Sequence, residues 1–151
     1  MPAINLFLDS SALFAGIASS EGAGRVLLLL GETGKIQLTI SEQVVTEVER
    51  AMARKLPRAL PEVRLAILRS KVKIVHDPDR QVVLSHLDWM KDPADVPILL
   101  AAMQARVDFL VTLNRKHFLD DPAVAQRAGL RIGTPGDALA WVRAQIIPFH
   151  D

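Results

Sequence analysis

Asp9, Asp95 and Asn114 stand where a chain can do chemistry, directly after an apolar run or in the first turn of a helix. Asp9 closes the run from Ile4 to Leu8. Asn114 follows Phe109 to Leu113, with Thr112 two residues before it, and Asp95 opens a helical segment. Glu47 lies near the middle of another helix. Glu49 must face elsewhere, because side chains two apart do not share a helix face. Residue type alone does not choose between the two glutamates. Three acids and an amide make an all-oxygen donor set, which suits Mg²⁺ or Mn²⁺ rather than zinc or copper. Like charges sharing a site resist joint ionisation, and a divalent cation relieves that strain. The same cation lowers the pKa of a bound water and clamps phosphate oxygens, so the set points to phosphodiester hydrolysis.

Such residues act together only if a fold gathers them. Ile4 to Leu8, Lys35 to Ile40, Val72 to Val75, Phe109 to Thr112 and Leu130 to Ile132 read as strands. Ser10 and Ser11 supply cap material for the helix ALFAGIA, and Gly22 and Gly24 precede another from Arg25 to Glu32. Ser41 caps a helix that Pro57 ends, and Pro61 to Ser70 follows as its partner. Leu84 to Met90 reads as helical. Asp92-Pro93-Ala94-Asp95 is a helix start, with a cap residue, proline at the first position and an acid at the third. Short helices from Pro122 to Ala128 and from Pro135 to Ile146 complete the alternation. Strands alternating with helices predict an open parallel α/β sheet covered on both faces. In that architecture ligands bind beyond the carboxyl ends of the strands, where Asp9 and Asn114 fall.

Composition narrows the classes. The 151 residues suit one domain, residues 1–151, and a 50% hydrophobic content excludes a disordered chain. The absence of cysteine removes disulfides, thiolate metal sites and a Cys nucleophile. His76, His86, His117 and His150 include no pair at the i, i+4 spacing of a helical zinc site. No run approaches the ~20 apolar residues of a membrane helix, and Asp9 interrupts the apolar N-terminus, so a cytoplasmic chain with no membrane partner is expected. The net charge of +1 hides an asymmetry: Arg50, Arg54, Lys55, Arg58, Arg64, Arg69, Lys71 and Lys73 face only Glu62 between positions 50 and 73. A basic helical hairpin beside an acidic pocket suits a polyanion that is gripped and cut. Arg115, Lys116 and His117, just past Asn114, could touch phosphate or could simply solubilise a turn. Tyrosine is absent, so base stacking is scarce.

FLDSSALF, SEQVVTEVERAMARK, DPADVPILLAA, VDFLVTLNRKHF and IGTPGDALAWV, in this order and spacing, resemble the PIN-domain nucleases over essentially the whole chain. The resemblance implies a Rossmann-like three-layer α/β/α sandwich with a central parallel sheet. It implies a ribonuclease dependent on Mg²⁺ or Mn²⁺, frequent homodimers and, in VapC-like toxins, a small antitoxin protein as partner. Asp9, Glu47 and Asp95 match the family's first three acids, and only the resemblance selects Glu47 over Glu49. Where many members carry a fourth Asp, this chain has Asn114 after Thr112, which removes a charge and implies weaker metal binding. The alternative is a PIN-like module of weakened catalysis that holds RNA or a protein. A phosphoacceptor domain of the receiver kind fits less well, because its paired N-terminal acids are missing.

Each residue has a plainer role open to it. Asp9 could cap a helix, although Ser10 and Ser11 serve equally well. Asp92, before Pro93, reads best as a cap, and Asp95 could serve the helix dipole. Glu47 could pair with Arg50 or Arg54. Trp89 and Trp141 read as core or dimer contacts rather than base platforms.

Overall fold

The computed structural model describes residues 3–146; His150 lies outside them. Its strands are β1 (Asn5–Leu8), β2 (Gln37–Ser41), β3 (Lys73–Val75), β4 (Phe109–Val111) and β5 (Arg131–Gly133). They form one parallel sheet in the order β3-β2-β1-β4-β5. Leu6 on β1 pairs with Leu38 on one side and Phe109 on the other. Leu6 and Phe7 point to opposite faces, yet both are 0% exposed, so helices cover the sheet on both sides. This is the three-layer α/β/α sandwich that the alternation of elements predicts.

The helices are α1 (Ser10–Ala18), α2 (Ala23–Glu32), α3 (Glu42–Lys55), α4 (Leu60–Arg69), α5 (Arg80–Leu84), α6 (Val96–Gln104), α7 (Pro122–Ala128) and α8 (Pro135–Ile146). Val44, Val48 and Met52 give α3 a buried stripe at helical spacing, and the Ser41 hydroxyl caps it by accepting from Val44 N. α1 and α2 pack closely because Gly16 and Gly24 meet; a Cβ on Gly16 would lie 3.0 Å from the Gly24 carbonyl oxygen. No single helix among the described residues is long and apolar enough to cross a membrane.

Two local expectations need correction. The expected helix from Leu84 to Met90 is instead α5, which ends at Leu84, and a separate 3-10 turn at Leu87–Trp89. Only His86 and Trp89 are partly buried between Leu84 and Trp89, too little apolar surface to hold a longer helix down. Residues Arg115–Leu119, read as a simple turn, form one π-helical turn. Trp141 packs on Phe109 with ring centroids 5.7 Å apart, as a core contact should.

Gly31 tests how tightly the helical layer meets the sheet. A Cβ there would lie 2.8 Å from both the Leu38 side chain and the Ser70 carbonyl oxygen. Overpacking of this kind costs about 1–3 kcal/mol, against ~0.5–1 kcal/mol gained by removing a helical glycine. Gly31→Ala should therefore lower stability in a urea titration; a more stable variant would show that α2 has room to shift.

Candidate metal centre

β1 delivers Asp9 to the carboxyl edge of the sheet, where its backbone N–H still donates to Val111 O at 3.0 Å. Its carboxylate is then fixed from three directions. Oδ1 accepts from Ala12 N at 2.9 Å and from the Ser11 hydroxyl at 2.7 Å, and Oδ2 accepts from the Thr112 hydroxyl. Ser11 Oγ in turn accepts from Leu113 N at 3.0 Å, and Thr112 Oγ1 from Asn114 N at 2.9 Å. Asp9, not Ser10 or Ser11, is thus the cap of α1; Ser11 is spent on Asp9 itself, and Ser10 has no part in this network among the described hydrogen bonds. At 4% exposure, burial pushes the Asp9 carboxyl above its ordinary pKa despite those donors, and the charge of Glu47 adds to the rise.

That effect of Glu47 on Asp9 also answers which glutamate faces the acids. Glu47 accepts from Gln43 Nε2 at 3.1 Å, while Gln43 Nε2 also reaches Ala94 O at 3.3 Å and ties α3 to the segment before α6. Glu49 instead faces α4, where Arg64 grips it with two bonds of 3.0 and 3.1 Å. The pairing of Glu47 with Arg50 or Arg54 is replaced by the shorter reach to Gln43, one turn away on the same face.

Asp95 ends a 3-10 turn, Pro93–Asp95, that leads into α6, and Asp92 caps that turn by accepting from Ala94 N at 3.0 Å. Asp95 Oδ2 is enclosed within the protein. Burial raises the Asp95 pKa; His117 opposes the rise, and Asp92 and Asp9 add to it. His117 Nδ1 lies 2.6 Å from Asp95 Oδ2 and 4.0 Å from Asp92 Oδ2. Asn114 caps the π turn: its Oδ1 accepts from His117 N at 3.1 Å, and its Nδ2 lies 3.1 Å from His117 Nδ1.

Asp9, Glu47, Asp95, Asn114 and Thr112 therefore gather at one end of the sheet, and the structure adds His117. A search for histidines paired along the chain misses it, because its partners are acids brought near in space. Its place just past the strand that carries Asn114 was the available signal, and it pointed to phosphate contact rather than to the acids. Arg50 and Arg54 are exposed on α3, Lys55 Nζ sits 5.4 Å over the Phe14 ring, and Arg115 and Lys116 are exposed on the π turn.

The sequence matches the PIN domain family over residues 5–116. The chain belongs to the PIN-domain family. Solved PIN folds resemble it along most of its length. One is PAE2754 from Pyrobaculum aerophilum, 17% identical over 93% of this chain and 96% of that one, with a TM-score of 0.61. VapBC2 from Rickettsia felis, bound to a DNA fragment from its promoter, is 18% identical over 87% and 98%, with a TM-score of 0.60. VapC20 from Mycobacterium tuberculosis, described as a Sarcin-Ricin loop cleaving toxin, is 13% identical over 74% and 91%, with a TM-score of 0.55. No curated protein matches the sequence. These likenesses agree with the three-layer PIN sandwich.

The raised pKa of Asp95 carries a consequence for this PIN domain. A carboxyl that binds its proton more tightly when folded favours the folded state at acid pH, and that advantage fades as pH rises through the folded-state pKa. In EDTA, Asp95→Asn should gain stability relative to wild type between pH 4 and pH 7 in urea titrations. A gap that stays flat with pH would mean Asp95 carries no such strain.

Proposed function

We propose that this PIN domain is a metal-dependent endoribonuclease in which Asp9, Glu47 and Asp95 hold Mg²⁺ or Mn²⁺, with Asn114 at the edge of the site. The observation that carries the reading is the gathering of the half-buried Asp95 and the buried Asp9 with Glu47, acids whose charges reach one another. Hard oxygen donors in this number fit a hard divalent cation. When bound, such a cation neutralises the acids, clamps phosphate oxygens and activates water.

The chain's own residues set the geometry. Thr112 and Ser11 pin both oxygens of Asp9, so that acid cannot swing away from the sheet edge. Gln43 holds Glu47 toward the same point, and Asp92 fixes the turn that presents Asp95. Arg115 and Lys116, next to the centre in sequence, and Arg50, Arg54 and Lys55 on α3 offer cations to an RNA backbone. A small antitoxin protein and a homodimer complete the reading, as the VapC-like resemblance implies. Asn114 supports a second reading, a weakened module that holds RNA or protein, since its amide is committed to capping the π turn.

Cleavage separates the two. With Mn²⁺ and a generic RNA, wild type should cut, and Asp9→Asn should lose about 100-fold or more, which is what several kcal/mol of metal-dependent stabilisation amounts to. A folded Asp9→Asn protein with full activity removes Asp9 from the ligand set. RNA that binds and is never cut favours the second reading.

Grip on the backbone is measured apart from cutting. Arg54→Glu with Lys55→Glu should weaken RNA binding and flatten its dependence on salt, because each lost phosphate contact releases fewer counterions. An unchanged slope makes that end of α3 a solvated face.

A further inference from the structure

Among the described residues, the buried polar side chains Asp9, Thr39, Ser41 and Thr112 all hydrogen-bond to other groups of the protein. Ser70 is the exception. It stands at the end of α4 and is 4% exposed, and its hydroxyl meets no partner among the described hydrogen bonds. Ser70 lines a cavity of about 390 Å³ between α2 and α4, within the size range of small-molecule sites. A hydroxyl so placed offers both a donor and an acceptor to whatever fills the cavity.

The walls of this cavity are charged in a pattern that helix stability does not explain. α2 carries Arg25 in its first turn and Glu32 at its last residue, so both charges oppose the helix dipole. α4 carries the favourable order, Glu62 first and Arg69 last. Each helix leads into a strand of the parallel sheet, α2 into β2 and α4 into β3, so the two run in the same direction. Their carboxyl ends meet where Gly31 abuts the Ser70 carbonyl. Glu32 therefore shares the Ser70 end of the cavity with Arg69, and Arg25 shares the other end with Glu62. Opposite charges face one another at both ends, yet no ion pair among the described residues joins any of the four. Arg25 is held from behind, donating to Ser19 O and Ile17 O at 2.9 Å each.

We propose that this cavity binds a free basic amino acid, L-arginine or L-lysine, by its two charged ends. The Ser70 end offers the groups that an amino-acid head requires. Glu32 accepts from the ammonium, and Arg69 and the Ser70 hydroxyl donate to the carboxylate. Ile17, Leu28 and Ala66 take the methylene stem. Seven residues separate the charges on each helix, about 10 Å at ~1.5 Å per residue, which favours a long side chain over a short one. Glu62 receives the cationic tail, because Arg25 beside it is already balanced by the carbonyl end of α1. An acidic tail fits less well for the same reason. The cavity includes none of the acids of the candidate metal centre, so it stands apart from the nuclease reading.

Calorimetry and thermal unfolding of the full-length protein with L-arginine, L-lysine and L-norleucine test the site. Wild type should bind the two basic amino acids one to one, and norleucine, which lacks the charged tail, about tenfold or more weakly. Nα-acetyl-L-arginine amide, whose head carries neither charge, should not bind. Ser70→Ala should unfold at the same urea concentration as wild type or higher, because its hydroxyl has no partner to lose. Its affinity for L-arginine should nevertheless fall about tenfold. Glu62→Gln should bind arginine and norleucine alike. L-arginine that neither releases heat nor raises the melting temperature at millimolar concentration overturns the proposal. Capped arginine binding as well as the free amino acid overturns it too, since the head charges then go unread and the cavity is a groove for peptide. Spermidine binding as tightly as arginine likewise reduces the cavity to a collector of cations. Asp9→Asn should bind L-arginine as wild type does, so a failed nuclease reading leaves this site standing.

Discussion

The carboxylate of Asp9, buried at the end of the central strand, is the constraint around which this molecule is arranged. Its three hydrogen bonds do two structural jobs at once: they cap α1 and lock the β4 exit to the β1 exit. A helix cap is worth ~1 kcal/mol, and a serine would supply it without burying a charge. Burial raises the pKa of the acid and the charge of Glu47 adds to the rise, which means the folded chain gives up stability to keep the carboxylate ionised there. The cost is consistent with a site, because strain of this kind concentrates where chemistry is done.

Topology explains why the other groups arrive at the same place. The chain leaves β1 toward β2 and β3, then returns to the opposite side of β1 for β4 and β5. Parallel strands all present their carboxyl ends to one edge, and the reversal of direction opens a crevice there. Ser41 ends β2 and caps α3, Thr112 follows β4 directly at the same edge, and both are fully buried. Glu47 then needs only the spacing of α3, and Asn114 only the two residues beyond Thr112, to join Asp9.

Much of this was legible in the residues because it is local. Caps, prolines and apolar spacing placed α3, α7 and α8 within a residue or two, since those signals act over one or two helical turns. Three features were not legible, and each depends on contacts distant in sequence. Glu47 and Glu49 look alike until Arg64, fifteen residues on, draws Glu49 away. His117 looks isolated until α6 brings Asp95 beside it. Ser11 looks like a cap until Asp9 uses its hydroxyl to reach across to Leu113. Side-chain pairing through space set these outcomes, and no window along the chain contains both partners.

Helix α3 joins the two charge regimes of the molecule. Its middle turns Glu47 toward the acids, and its last turn carries Arg54 and Lys55, whose charges already suit the negative end of the helix dipole. Seven residues separate Glu47 from Arg54, about 10 Å along the axis at ~1.5 Å per residue. That distance is comparable to the ~8 Å Debye length at physiological ionic strength, so each group sets its own local field. A polyanion is attracted at the end of α3 and, with the acids ionised and unbalanced, repelled at the sheet edge. Divalent charge bound among the acids reverses only the second of these fields. On the nuclease reading proposed above, a chain of net charge +1 would therefore hold one phosphate backbone along the whole of α3 only in its metal-loaded form, and metal would be a condition for seating the substrate as well as for cutting it.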